Sequence, residues 1–169
     1  TANIATSSGV FADIEAAIHA ADKAFSEYKN TPIKPRIKMI EAIRATSRDH
    51  VKDLARMAVE ETKMGRVDDK IIKNLLAINK TPGVEDLQPT VFTGDDGLTL
   101  FENAPWGVIG SVTPSTNPTA TIICNAIGMI AGGNSVVFNT HPSAKKVCTF
   151  LINLINKPLI SEGGPPGRK

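Results

Sequence analysis

The stretch that decides the fold runs from Gly107 to Pro142 and reads GVIGSVTPSTNPTATIICNAIGMIAGGNSVVFNTHP. Its pattern predicts strands and helices in alternation: a strand at 107–112, a loop at 113–118, a helix at 119–131, a turn at 132–134, a strand at 135–138, a loop at 139–142 and a helix from about Ser143 to Asn156. Such βαβα order predicts parallel strands, right-handed crossovers and ligands beyond the carboxyl ends of the strands. Both loops follow strand ends, so they form the candidate binding region.

Charge is distributed unevenly along the 169 residues, although the net charge is only +2. From Asn103 to Ala144 the chain contains no Asp, Glu, Lys or Arg. Since charged side chains avoid burial, this stretch is expected in or near the interior, behind a charged helical layer from the first half. The near-neutral balance argues against nucleic-acid binding, and no apolar run reaches the length of a membrane span.

The first half predicts three helices. Apolar residues at helical spacing mark the first, which Asn30 ends, and Pro35 opens a second that Gly65 breaks. Its candidate buried residues are Ile37, Ile40, Val51, Leu54 and Ala58. Ile71, Leu75 and Ile78 mark the third helix, which Pro82-Gly83 stops. Taken with the second half, the fold class is α/β, with a helical layer on a parallel-sheet core.

A β-hairpin is predicted near 89–101, between the two halves. Two β-prone runs flank Gly94-Asp-Asp-Gly97, which is a good turn signal. A lone hairpin is marginal in water, so it is expected to pack on another surface. That surface is either a second subunit or this same chain, and the residues favour neither.

The cysteines and histidines give no sign of a metal or disulfide site. Cys124 and Cys148 both lie in apolar helical surroundings and are interpreted as small buried hydrophobes. The three histidines do not pair with cysteine at zinc-like spacing, so no metal is expected. Thr1–Gly9 lacks the basic and apolar regions of a signal peptide.

Two polar pairs stand out in the loops, and each has two readings. Asn117-Pro118 is a favoured helix start, with Asn as N-cap, but an Asn there could also stabilise an oxyanion. His141-Pro142 is either a loop that caps the next helix through Ser143 or a contact for a nucleotide ribose or phosphate. Gly107 and Gly110 do not form the dinucleotide fingerprint, because they lie before or within the strand.

Several motifs, in register, resemble the aldehyde dehydrogenase superfamily. They are Glu61-Thr-Lys-Met-Gly-Arg66, Glu102-Asn-Ala-Pro-Trp-Gly-Val-Ile-Gly110, Thr113-Pro-Ser-Thr-Asn-Pro118 and Ala131-Gly-Gly-Asn-Ser-Val-Val-Phe138. The resemblance extends from about Phe11 to Asn156 and covers the N-terminal nucleotide-binding core of that family. It implies a helical part at 1–88, a bridging or oligomerisation hairpin at 89–105 and the βαβα part at 106–169.

Two departures from the hydrolytic members resemble the CoA-acylating branch. Hydrolytic members usually carry Trp before the oxyanion-hole Asn, where this chain has Thr116. They usually place Lys-Pro after the second strand, where this chain has Asn139-Thr-His-Pro142. Both features are similar to the ethanolamine- and propanediol-utilisation enzymes. Those enzymes convert short aldehydes such as acetaldehyde or propionaldehyde, often inside bacterial microcompartments.

The resemblance implies a mechanism and a set of site residues. A cysteine thiolate attacks the aldehyde, hydride passes to NAD, and coenzyme A captures the thioester as acyl-CoA. Asn117 is the implied catalytic residue, as an oxyanion donor. The implied cofactor-binding residues are Thr113, Pro114, Ser115 and Thr116 on the nicotinamide side and Asn139, Thr140, His141 and Pro142 at the adenosine end.

The family's nucleophile is expected in a later domain, so the 169 residues alone are expected to be inactive. A homodimer or homotetramer, a cytoplasmic location and contact with microcompartment shell proteins are further implications. Two alternatives stay open: a hydrolytic or phosphorylating relative, and a nucleotide-binding or assembly fragment without turnover.

Overall fold

The computed structural model describes residues 9–165, so the prediction for the residues before Gly9 lies outside the described part. The α-helices are α1 (Ile14–Tyr28), α2 (Ile33–Asp49), α3 (Val51–Thr62), α4 (Val67–Lys80), α5 (Pro118–Ala131) and α6 (Lys145–Ser161). The strands are β1 (Thr90–Gly94), β2 (Gly97–Phe101), β3 (Val108–Thr113) and β4 (Ser135–Thr140). Single 3-10 turns lie at Val84–Asp86 and Pro142–Ala144. The predicted α/β class is confirmed.

Two separate sheets form. β1 and β2 pair antiparallel as the predicted hairpin, with Gly94 opposite Gly97. β3 and β4 pair parallel, from Val108 opposite Ser135 to Thr113 opposite Thr140. The β3-α5-β4-α6 order confirms the parallel βαβα unit, and the in-register strand ends bring its two loops side by side.

The turn before β4 ties the starts of the parallel strands together. Asn134 Oδ1 accepts hydrogen bonds from the backbone N–H groups of Trp106 at 2.6 Å and Gly107 at 3.0 Å. Gly133 has a φ of +79°, and a Cβ there would lie 2.9 Å from the Arg36 guanidinium. Glycine tolerates the positive φ and has no Cβ that would clash with Arg36. The turn can therefore pack closely onto α2.

The helices bury one apolar core around α5. Ile43, Leu54, Ile123, Ile127 and Leu151, from four different helices, have no exposed surface. The predicted burial of Ile40, Val51, Leu54 and Ala58 is confirmed. The prediction for Ile37 is wrong, because its side chain is 43% exposed on the outer face of α2.

The predicted second helix is in fact two helices, α2 and α3, which meet at His50. His50 leaves the helical geometry, with a φ of −106° and a ψ of 12°. Its ring Nδ1 donates to the Thr46 carbonyl at 3.0 Å, since a carbonyl oxygen only accepts. Apolar spacing continues across this break, so the sequence pattern did not reveal it.

Several other boundaries differ from the predictions, and β3 includes Thr113, which was expected in a loop. β4 continues through Asn139 and Thr140, which were expected in a loop, because both pair with β3 residues. α6 continues past Asn156 to Ser161, with Pro158 in its last turns. Gly163, whose φ is +95°, follows the helix end, and the Gly164 N–H donates to the Leu159 carbonyl at 2.8 Å. This is a Schellman-type helix end.

The charge-free stretch is interior only in part. α5 is largely buried, as expected, but Trp106 is 92% exposed and Val112 78% exposed. Val112 lies on the sheet face opposite α5. The sequence pattern identified apolar residues correctly, while only the packing shows which of them another element covers.

Candidate functional site

The two candidate loops lie together at the carboxyl edge of the parallel sheet. Thr113 and Thr140 are directly opposite in the β3–β4 register, so residues 114–117 and 141–142 start from adjacent strands. Pro114, Thr116, Asn139, His141 and Pro142 are exposed, and Ser115, Asn117 and Thr140 are half-buried. The sheet therefore brings together all the residues that were predicted at this site.

Thr113 differs from its neighbours because its side chain is turned inward. It is 1% exposed, and its hydroxyl makes no well-aligned hydrogen bond among the described residues, although it touches the Cys148 thiol. Within this chain, then, Thr113 presents only its backbone to the sheet edge.

Asn117 occupies the N-cap position of α5, but its side chain does not cap the helix. The Asn117 carbonyl accepts from the Thr121 N–H at 3.1 Å, as expected for this position, whereas no capping bond comes from the amide. The amide Oδ1 instead accepts a 2.8 Å hydrogen bond from Lys73 Nζ on α4. The capping interpretation therefore does not explain the side chain.

Three polar residues on one face of α4 hold the segment around Asn117. Besides Lys73, Lys70 Nζ donates to the Thr116 carbonyl at 2.8 Å. The Thr119 hydroxyl donates to Asn74 Oδ1 at 2.9 Å, and Asn74 is 1% exposed. We refer to Lys70, Lys73 and Asn74 as the α4 polar face.

Sequence reasoning missed the α4 polar face. Its one signal was the helical spacing of three polar residues beside an apolar stripe, which is also typical of a solvated surface. Lys70 is in fact 8% exposed, and burial, with the nearby Lys73 charge as a second cause, lowers its pKa. Burial of a lysine costs desolvation free energy, so it occurs where the ammonium group finds hydrogen-bond acceptors. For Lys70 the acceptor is the backbone carbonyl of Thr116 in the loop.

The second loop is fixed by His141 and Glu61. His141 Nδ1 accepts from the Ser143 N–H at 3.2 Å and lies 2.8 Å from the Ser143 hydroxyl, so the ring proton sits on Nε2. The loop does cap the next helical turn, but His141 is the acceptor, not Ser143. The Glu61 carboxylate accepts from the N–H groups of Lys146 and Val147, both at 2.8 Å, at the start of α6.

This capping has a consequence for anion binding. Backbone N–H groups at a helix start are a common phosphate site. Glu61 already occupies those of α6, and Asn117 is followed by Pro118, which has no N–H. The first-turn N–H groups of Lys146 and Val147 are therefore not open to a phosphate, and Pro118 offers none.

One cavity in the described part of the chain lies apart from most of these polar groups. It measures about 580 Å³ and lies along β4 between α1 and α6. Asn139, Thr140 and Pro142 line one end of it, but most of its wall is apolar. We place the candidate site at the polar sheet edge, because orientation and chemistry require hydrogen-bonding groups.

Neither cysteine belongs to the site. Cys148 has no exposed surface, and burial raises the pKa of its thiol to about 11. Cys124 is half-buried, and its Sγ accepts a hydrogen bond from the Thr81 hydroxyl at 3.1 Å. A thiol that stays protonated at neutral pH is a poor nucleophile, which supports the interpretation of Cys148 as a core residue.

Residues 9–165 contain neither a metal-binding cluster nor a membrane-spanning helix. No group of three or more His, Cys, Asp or Glu side chains could hold a metal ion there. In the same part of the chain, no helix is both long and apolar enough to cross a membrane.

Known proteins with sequences similar to this chain include several aldehyde dehydrogenases. The aldehyde dehydrogenase family profile matches residues 3–167. Acetaldehyde dehydrogenase (acetylating) EutE of Salmonella typhimurium is 54% identical over 157 residues, which is 93% of this chain and 33% of that protein. The chain thus spans about a third of the length of such relatives.

Two solved structures show the same fold. Propionaldehyde dehydrogenase of Rhodopseudomonas palustris, with bound CoA and an acylated cysteine, superposes with a TM-score of 0.93 at 49% identity, over 95% of this chain and 37% of that one. An engineered glycolyl-CoA reductase with bound NADP+ gives a TM-score of 0.93 at 48% identity, over the same shares. The chain belongs to the aldehyde dehydrogenase family, and its similarity is to the CoA-acylating members.

Proposed function

We propose that this chain is the N-terminal part of a CoA-acylating aldehyde dehydrogenase, which converts a short aldehyde, NAD and CoA into acyl-CoA and NADH. One observation carries the proposal: the Asn117 amide stands at a helix start on the sheet edge without capping that helix. Its oxygen is bound by Lys73 at 2.8 Å, so its Nδ2 faces away from the lysine. The Asn117 Nδ2 is therefore placed as a hydrogen-bond donor for a ligand at the sheet edge.

Asn117 would act on the negative charge that develops on the aldehyde oxygen. A donor held in place needs no reorganisation during the reaction, and the positive end of the α5 dipole adds to its effect. Removal of one such donor typically lowers kcat by about 10²–10³-fold. The half-buried setting of Asn117 limits competition from water.

The donor groups at the sheet edge fit a nicotinamide nucleotide. Ser115, Thr116 and Asn139 offer hydroxyl and amide groups for ribose and carboxamide, and Lys145 and Lys146 offer charge for phosphates. The loops 113–118 and 139–142 contain no acidic residue that would repel the phosphates. When bound, the nicotinamide supplies the hydride acceptor and CoA supplies the thiol that receives the acyl group.

The same loops support the acylating branch over a hydrolytic one. Thr116 is small and exposed where hydrolytic members usually carry Trp, and the segment Asn139-Thr-His-Pro142 follows the second strand where they usually place Lys-Pro. The resemblance of these positions to acylating enzymes agrees with the comparisons. Cofactor-binding roles of Thr113, Pro114, Ser115, Thr116, Asn139, Thr140, His141 and Pro142 are part of this proposal.

The test uses the full-length protein that contains this chain. NADH formation from propionaldehyde and NAD is followed with and without CoA. Turnover that requires CoA supports the acylating function, whereas equal rates without CoA would favour a hydrolytic enzyme. An Asn117→Ala variant should lose about 10²–10³-fold in kcat. The exposed Asn103→Ala variant is the control and should keep wild-type activity.

We further propose that the hairpin packs against a second copy of the chain in a homodimer or homotetramer. All of β1 and β2 is exposed, including Phe92 at 60%, Leu98 at 69% and Phe101 at 61%. Phe92 and Phe101 stack edge to face across the hairpin, with ring centroids 5.8 Å apart. Apolar surface of this kind in one hairpin is typical of an interface. A Leu98→Asp variant that kept the wild-type mass in light scattering would refute this role.

The proposed location is the cytoplasm, inside a bacterial microcompartment in contact with shell proteins. The resemblance to ethanolamine- and propanediol-utilisation enzymes supports it. Co-purification with shells, compared with a cytoplasmic marker, tests it.

A further inference from the structure

We propose that Lys73 is a positioning residue that decides which end of the Asn117 amide faces the substrate. The inference rests on the proposed role of Asn117 as an oxyanion donor. It starts from the 2.8 Å hydrogen bond between Lys73 Nζ and Asn117 Oδ1, which joins residues 44 positions apart in sequence.

An Asn amide is nearly symmetric in shape, with an acceptor oxygen on one side and a donor NH2 on the other. Rotation by half a turn exchanges the two at little steric cost. For an oxyanion the difference is decisive, because one orientation offers a donor and the other places a carbonyl oxygen against negative charge.

Lys73 removes this ambiguity. An ammonium group has three donors and no acceptor, so only Oδ1 can face it. The reversed amide would place NH2 against NH3+, donor against donor and positive dipole against positive charge. With Oδ1 held by Lys73, Nδ2 is the end left for a ligand. The ammonium also draws electron density from the amide, which makes its N–H groups stronger donors.

Lys70 and Asn74, the other two residues of the α4 polar face, restrain the backbone on either side of Asn117. Lys70 Nζ holds the carbonyl of Thr116, the preceding residue, at 2.8 Å. Asn74 Oδ1 accepts from Thr119 in the first turn of α5 at 2.9 Å. Lys70 is buried among these contacts, whereas Lys73 is exposed and donates its hydrogen bond to the Asn117 amide. Lys73 can therefore be replaced without opening the core.

The decisive experiment is a double-mutant cycle in the full-length enzyme. Lys73→Met keeps the length and apolar stem of the side chain but removes the donor and the charge. We expect kcat to fall about tenfold, which is part of the 10²–10³-fold that a whole donor contributes. The KM for aldehyde and the dissociation constant for NAD should change less than about twofold, since Lys73 acts through Asn117. Lys73→Arg, which keeps a donor, should restore most of the activity.

In the Asn117→Ala background, Lys73→Met should have almost no further effect, because the amide that it orients is gone. Lys80→Met, which removes the same charge from the last turn of the same helix, should behave like wild type in both backgrounds. Thermal unfolding of each variant shows whether the fold is retained.

The outcomes separate the two proposals. If Asn117→Ala keeps full activity, the oxyanion role itself is wrong. If Asn117→Ala is impaired but Lys73→Met retains wild-type kcat, only the positioning role is wrong. Equal losses from Lys73→Met with and without Asn117 would also overturn it, because Lys73 would then act by another route.

Discussion

Replacement of Glu61 by Ala should loosen the start of α6 and, with it, the second loop of the site. Glu61 accepts two 2.8 Å hydrogen bonds from the first-turn N–H groups of Lys146 and Val147, although it lies 85 residues earlier in the chain. Loss of a capping side chain costs about 1 kcal/mol, and loss of a carboxylate from a helix start costs about 0.3–1 kcal/mol. Together these effects predict that opening of this turn becomes easier by about 2 kcal/mol.

Hydrogen exchange of the full-length protein measures this opening directly. The Thr149 and Phe150 amides, one turn further along α6, should exchange about 30-fold faster in Glu61→Ala, because each 1.4 kcal/mol is a factor of ten. Glu61→Gln keeps one acceptor oxygen, so it should cause a smaller increase of about fivefold. The exposed Glu60→Ala is the matched control on the same helix, with the same change of charge.

Two results would refute this reasoning. Unchanged exchange at Thr149 and Phe150 in Glu61→Ala would mean that the two hydrogen bonds do not stabilise the helix start. An equal increase in Glu60→Ala would mean that general charge, not the specific contact, is responsible. Because the segment 139–142 at the end of β4 runs directly into this turn, the KM for NAD should also rise in Glu61→Ala and not in Glu60→Ala.

Three further predictions concern the core. Burial raises the pKa of Tyr28 to about 12, against the opposing effect of the Arg36 charge, and the Tyr28 hydroxyl donates to the Ile130 carbonyl at 2.8 Å. The stability that comes from the protonated hydroxyl should be full below pH 10 and be lost between about pH 10 and 12. Unfolding of wild type and Tyr28→Phe across that range checks this, because the variant should not show the loss. Cys148 should stay unlabelled by iodoacetamide at neutral pH while Cys124 reacts, because burial raises the pKa of the Cys148 thiol to about 11. Mass spectrometry of the labelled peptides checks this prediction, and equal labelling of the two cysteines would contradict it. Ile43→Ala should lower the free energy of unfolding by about 2–5 kcal/mol, because Ile43 is fully buried. Ile37→Ala, on the exposed face of the same helix, should lower it by less than about 1 kcal/mol. Similar losses for the two variants would mean that the exposure of Ile37 is misassigned.

Local sequence signals were sufficient for most of the secondary structure. Apolar periodicity and Gly, Pro and Asn punctuation predicted α1, α4, α5, both parallel strands and the hairpin, with ends displaced by a few residues. The break at His50 escaped because apolar spacing on both sides fits one continuous helix. The extra length of β4 escaped because Asn139 is a poor strand former, and both Asn139 and Thr140 take strand geometry by pairing with β3.

The sequence by itself determined the βαβα order, the placement of both loops after strand ends and, through several motifs in register, the family. These follow from patterns within some ten to twenty residues, where the local backbone preference decides. Only the tertiary structure decided that Lys73 binds the Asn117 amide and that Glu61 caps α6. Such contacts join residues far apart in the chain, and their formation depends on how α3 and α4 pack beside α5 and α6. No local periodicity encodes that geometry, because a hydrogen bond requires a match within a few tenths of an ångström that only the assembled core provides.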